Sequence, residues 1–270
     1  TNLRTPEQAR FLEDLGFERL ILARELSLEQ IKAIKQATKT DIETFVHGAL
    51  CVSYSGQCYL SQKVAGRSAN RGTCAQACRS LYTLSDSNGK VLQREMPLLS
   101  LKDFNLSDRI ADLVKAGVTS FKIEGRLKNI SYIKNIVRLY REKIDEFIGN
   151  NPQYTRASLG EIKEGFVPNA DVTFNRGYTE LFLDGHRGKW ASMDAAKSMG
   201  EHVGEVASVD KTGISVRLAG HSISLNNGDG FSFVAKDGTV CGFRGDVCEG
   251  TKIRCKSFHS IYVGPRLFRN

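Results

Sequence analysis

Apolar positions recur every three to four residues in some stretches of the chain and every second residue in others, and the two periods predict different elements. Residues 5–16 (TPEQARFLEDLG) read as a helix with Thr5 as N-cap and Pro6 at its first position. Arg19 to Ala23 is a short apolar strand, and Leu26 to Ala37 returns to the helical period with Ser27 as cap and Glu29 and Gln30 in its first turn. Asp41 to Val46 is a second strand and residues 97–101 (PLLSL) a third. A helix is expected from Ser107 to Ala116, a strand over Thr119–Ile123, and a long amphipathic helix from Ile130 to Ile148. Strands that alternate with helices argue for a parallel sheet.

Units of this size build a (β/α)₈ barrel, but a whole barrel takes about 250 residues and only about four units fit before residue 150. The fold class expected is therefore α/β: a partial TIM-like barrel fragment over residues 1–150, interrupted by a cysteine-rich insertion at about 48–96. On that reading the barrel's N-terminal half is missing, and its open edges invite self-association. An open doubly wound sheet is the competing architecture. Residues 151–170, with Pro152 and Pro168, read as a linker. Beyond it the period becomes two: Ile214, Val216 and Leu218 alternate, as do Ile223 and Leu225, between DKTG, NNGDG and KDG turns. Residues 171–270 are expected to form a small antiparallel, barrel-like β-domain that is itself truncated.

Composition narrows the function classes. Apolar residues are 41% and charged residues 25%, which suits a folded, water-soluble chain, and no run reaches the length of a membrane span. Lys plus Arg number 38 against 30 acidic residues, a net charge of +8, which fits an anionic partner such as nucleic acid or a small polyacid and also plain solubility. The chain starts at Thr1 without a secretory signal pattern, and an odd count of 7 cysteines suits a reducing compartment, so a cytoplasmic protein is expected.

Four of those cysteines, Cys51, Cys58, Cys74 and Cys78, fall in one glycine-rich loop with spacing C-x6-C-x15-C-x3-C. Thiolates grouped in this way suit an iron–sulfur cluster, structural zinc, or no metal at all. From Tyr59 to Ser85 there is no acidic residue, while Lys63, Arg67, Arg71 and Arg79 are present. Such cations stabilise an anionic cluster or bind a phosphate or carboxylate. The stretch ETFVHGALCVSYSGQCYLS (43–61), with NRGTCAQACR (70–79), IEGR (123–126) and FNRG (174–177), resembles the U32 peptidase family, the collagenase-like proteins. Within it, RSANRGTCAQACR is most similar to the branch that hydroxylates a cytidine of 23S ribosomal RNA. The resemblance implies a TIM-like barrel with a β-rich accessory domain, and a [4Fe–4S] cluster on Cys51, Cys58, Cys74 and Cys78. It implies oxygen-independent hydroxylation of rRNA or tRNA with a small, prephenate-like carboxylate co-substrate. It also leaves two alternatives: a collagenase-like peptidase, and a non-enzymatic zinc-stabilised RNA-binding module. No HExxH or GxSxG motif supports a peptidase.

Strand ends supply further candidates, because a barrel's site lies at the C-terminal ends of its strands. His47 ends the second strand, and alternation places Glu43, Phe45 and His47 on one face. Lys122, Glu124 and Arg126 end the later strand, with Arg24, Glu25 and Asp103 in equivalent places. His47, Lys122 and Glu124 are the expected catalytic groups, and Arg67, Arg71 and Arg126 the expected substrate contacts; a backbone-satisfied histidine and a structural Lys–Glu pair are the bland alternatives. From Lys122 to Lys143 seven basic residues face two acidic ones, which suits RNA phosphates or a solvated helix. Cys241, Cys248 and Cys255 read as small apolar residues of the β-domain. The fragment alone is expected to be inactive.

Overall fold

The computed structural model describes residues 2–163, 165–186, 188–192, 196–256 and 259–269. The fold is mixed α/β, and the chain divides into two compact units. The first comprises residues 1–78, 101–170 and 178–191; the second comprises 79–100, 171–177 and 192–270.

In the first unit, α1 (Pro6–Asp14) and α2 (Leu28–Ala37) start where local chemistry dictates. Thr5 and Ser27 each accept from the N–H three residues on, and Gln8 and Gln30 reciprocate, so both helices carry complete capping boxes. β1 (Arg19–Ile21) lies parallel to β2 (Asp41–Gly48), with α2 as the crossover between them. β6 (Val118–Ile123) is also parallel to β2 and leads into α5 (Ile130–Gly149). Along α5, Tyr132, Ile136 and Tyr140 repeat every four residues and are buried, as the amphipathic pattern requires. Leu20, Ile42, Val46, Ile34 and Leu113 join them in this unit's core.

A TIM-like fragment is not what the sheet establishes. The segment 97–101 forms no strand; the strand there is β5 (Asp103–Asn105), and it runs antiparallel to β2 across His47–Asn105 and Gly48–Phe104. β5 then pairs in parallel with β7 (Tyr178–Thr179), from beyond the expected linker. The result is a five-stranded mixed sheet. The helix expected from Ser107 begins as a 3-10 turn and becomes α4 (Ile110–Lys115). Within the cysteine segment the one α-helix among the described residues is α3 (Leu60–Ala65).

The second unit contains the hairpin β3 (Tyr82–Ser85) and β4 (Val91–Met96). It also holds a seven-stranded antiparallel sheet in the order β11-β10-β14-β8-β9-β13-β12. These strands are β8 (Glu201–Val209), β9 (Gly213–Leu218), β10 (Gly230–Val234), β11 (Val240–Arg244), β12 (Val247–Glu249), β13 (Lys252–Arg254) and β14 (Arg266–Arg269). Ile214 and Val216 point into the core with Phe231, Phe233 and Leu267, as the alternation anticipates; Ile223 and Leu225 pack there too, from a segment that forms no strand. Cys255 is buried in that core and Cys241 and Cys248 pack against it, as small apolar side chains do.

Candidate metal centre and the end of strand β2

The cysteine segment leaves β2 at Gly48, and its backbone is organised around sulfur. Cys51, Cys58 and Cys74 lie in one electrostatic neighbourhood. Burial is the main reason the Cys51 thiol is raised, and the negative charge that Cys58 and Cys74 would carry adds to this; the Ser53 backbone and the Arg24 guanidinium oppose it. Burial also raises Cys58, but the Ser53 side chain, the N–H groups of Ser61 and Leu60 and the Cys51 thiol outweigh it and leave Cys58 lowered. Gln76 N–H donates to Cys74 Sγ at 3.3 Å.

Two small side chains tie the halves of the segment together. The buried Ser61 hydroxyl donates to Arg67 O at 2.6 Å and accepts from Ala75 N–H at 2.9 Å. Asn70 Oδ1 accepts from Cys58 N–H at 3.0 Å. Arg67 donates from Nε to Thr73 O at 3.2 Å, so this expected substrate contact is engaged by the loop that carries Cys74. Arg71 is exposed, and Cys78 sits in the 3-10 turn Ala77–Arg79. Soft thiol donors, N–H groups aimed at sulfur and cationic surroundings fit an iron–sulfur cluster or zinc far better than a hard cation. Among the described residues, no three His, Cys, Asp or Glu side chains converge as the ligands of a single metal ion do.

His47 is buried at the end of β2. The β2–β6 register shifts between Phe45 and His47, and this interrupts the simple alternation. Glu43 and Phe45 both engage Lys122: its Nζ lies 3.6 Å from Glu43 Oε1 and 5.2 Å from the Phe45 ring centre. Glu43 also accepts from Ser120 Oγ at 2.8 Å. His47 instead packs among the rings of Tyr132, Tyr140 and Tyr178, at centroid distances of 6.1, 5.6 and 5.5 Å. The Tyr140 hydroxyl donates to Val46 O at 2.6 Å and accepts from Leu106 N–H at 3.1 Å. With the hydroxyl proton so placed, His47 Nδ1, 3.3 Å away, is left to donate to it. Nε2 is then an acceptor, and it is buried without a partner. Desolvation holds the His47 pKa down to about 4, against a weaker upward pull from Asn105, so the ring is neutral at pH 7.

The other strand-end residues separate. Glu124 N–H donates to His47 O at 2.8 Å, its side chain is half-buried, and Arg126 is exposed. Lys122 therefore finds its acidic partner in Glu43. Glu25 accepts from Ser55 N–H at 2.7 Å and from Ser55 Oγ at 2.9 Å, and Arg24 donates to Ala49 O at 3.2 Å. Asp103 is buried. On α5 the basic stripe is largely paired within the chain: Arg138 with Glu142, Arg141 with Asp145, and Lys143 with Asp108. The tyrosine surround of His47 escapes sequence reasoning; its one local trace is the spacing of Tyr132 and Tyr140, two turns apart on a single helix face.

Residues 1–192 match the sequence profile of Peptidase family U32. The chain belongs to that family. It is 48% identical over 250 residues to the 23S rRNA 5-hydroxycytidine C2501 synthase of Escherichia coli K12, a match that covers 93% of this chain and 38% of that protein. It is 33% identical over 211 residues to tRNA hydroxylation protein P1 of Bacillus subtilis 168, covering 75% of this chain and 49% of the relative. A Collagenase of Porphyromonas gingivalis W83 is 36% identical over 203 residues, covering 70% of this chain and 47% of its own length. This U32 chain thus spans half or less of these relatives. No solved structure matches it significantly. Among the described residues, no helix is long and apolar enough to cross a membrane.

Proposed function

We propose that this U32 chain belongs to an RNA hydroxylase that modifies a cytidine of ribosomal RNA. The observation that carries the reading is the 48% identity to the rRNA synthase, which extends over 93% of the chain and so includes both units. A [4Fe–4S] cluster on Cys51, Cys58, Cys74 and Cys78 is part of the proposal. The shared neighbourhood of the first three thiols and the N–H groups on their sulfurs support it. When bound, such a cluster supplies one-electron chemistry.

The chain's own residues then have distinct proposed tasks. Arg24 and Arg67 brace the cysteine loop and offset cluster charge. His47 positions the end of β2, four residues before Cys51. Lys122 and Glu124 are the proposed proton-handling groups, and Arg71 and Arg126, both exposed, the proposed RNA contacts. A small carboxylate co-substrate and a cytoplasmic setting complete the reading. Collagenase-like peptidase activity is the second reading, favoured by the names of the P. gingivalis relative and of the family.

The deciding experiment complements a strain that lacks its 23S rRNA cytidine hydroxylase with the whole gene from which this chain is translated, as wild type or Cys58→Ser. Mass spectrometry should find the hydroxylated cytidine restored by wild type and absent with Cys58→Ser. Unmodified RNA in both strains, with gelatin cleaved equally by both purified proteins, would establish the peptidase instead.

A further inference from the structure

Beside Cys51 the first unit carries a pocket of about 130 Å³. Its wall includes Arg24, Glu25, Cys51, Tyr54, Phe182 and Trp190. Phe182 and Trp190 are half-buried and meet at 48° with centroids 5.9 Å apart, so they form a corner rather than a stack and leave ring faces for a third planar group. Tyr54 is 60% exposed and stands at the lip, with the Arg4 guanidinium 5.0 Å from its ring centre. The volume is close to that of an apolar cavity that holds one benzene molecule, about 150 Å³, and so suits one six-membered ring rather than two fused ones.

Polar groups meet at the same place. Arg24 has N–H groups beyond the one given to Ala49 O, and the Glu25 carboxylate, which also lies 3.7 Å from Arg4 Nε, has lone pairs beyond those taken by Ser55. A donor beside an acceptor is the complement of a pyrimidine edge, and of cytosine in particular, whose amino group donates next to two acceptors.

We propose that this pocket receives one unstacked pyrimidine base of a single-stranded RNA, with its faces against Phe182, Trp190 and Tyr54 and its edge towards Arg24 and Glu25. Enzymes that act on a base take it out of the stack into such a pocket, and aromatic side chains replace the lost neighbours. The proposal rests on the RNA-hydroxylase reading and deepens it by placing the base beside Cys51.

Trp190 is the only tryptophan of the 270 residues, so its emission reports the pocket directly. The test titrates the purified protein with an RNA backbone of abasic riboses bearing a single central cytosine, and with the all-abasic strand. Quenching by the cytosine strand alone is expected, with affinity reduced about tenfold by Phe182→Ala and by Tyr54→Ala. Tyr54 is exposed enough that its replacement leaves folding intact, which circular dichroism checks. Equal quenching by both strands, unchanged affinity in both variants, or quenching only by a small aromatic carboxylate such as phenylacetate would overturn the proposal. A protein that hydroxylates RNA in cells yet shows no base-dependent quenching loses the pocket and keeps the function. One that quenches with cytosine but fails complementation loses the function and keeps the pocket.

Discussion

Among three tyrosine rings, His47 takes up a proton only near pH 4, whereas in the unfolded chain it does so near its ordinary 6.5. The unfolded state therefore binds the extra proton throughout that interval. The stabilisation from a neutral His47 is complete above pH 6.5 and is lost as the pH falls towards 4, by up to about 3 kcal/mol. Urea unfolding at pH 7 and pH 5 should show this loss in wild type and a smaller one in His47→Phe; parallel losses would mean that other groups carry the acid sensitivity. One residue on, Gly48 has φ +111°, and a Cβ there would lie 2.5 Å from Glu124 O. Gly48→Ala forces that backbone contact apart and should cost roughly 2–4 kcal/mol by the same assay. Neither role was legible beforehand. The sequence placed His47 and Gly48 at a strand end, but the groups that define their surroundings lie on α5, β7 and the end of β6, far along the chain.

At the scale of elements, what was local was readable and what was distant was not. The starts of α1 and α2 follow from capping boxes spanning four residues, and Ser27→Ala should lower stability by about 1 kcal/mol through loss of one cap. The β9 alternation was readable for the same reason, since period two needs no partner to be seen. β5 was missed because a three-residue strand has no period of its own; its position comes from pairing with β2 and β7. The cysteine segment falls between these cases. Its four thiols announce themselves by spacing, whereas the ties that hold its halves together, Ser61 with Arg67 and Ala75, consist of one hydroxyl and two backbone groups. Ser61→Ala leaves Ala75 N–H without its acceptor. On the cluster proposal, anaerobically purified protein should then retain less iron per chain than wild type, with the far-ultraviolet spectrum unchanged.

The two units are interleaved in sequence: the chain passes from one to the other after residues 78, 100, 170, 177 and 191. Residues 178–191 belong to the first unit: they return β7 to β5 and bring Glu180 and Asp184 to Arg109. Truncation after Ala170 removes all three while sparing the buried faces of α2, β2, β6 and α5, and should lower the melting temperature of the first unit and broaden its transition. A sharp, unshifted melt would show that the returning segment is dispensable. The same threading sets an order of events during synthesis. β5 leaves the ribosome with one edge open and waits until Tyr178 and Thr179 have been made; at about 5–20 residues per second that wait lasts several seconds. Throughout it, the nascent chain offers an unpaired strand edge, which makes the interval before residue 179 the period when chaperone protection matters most.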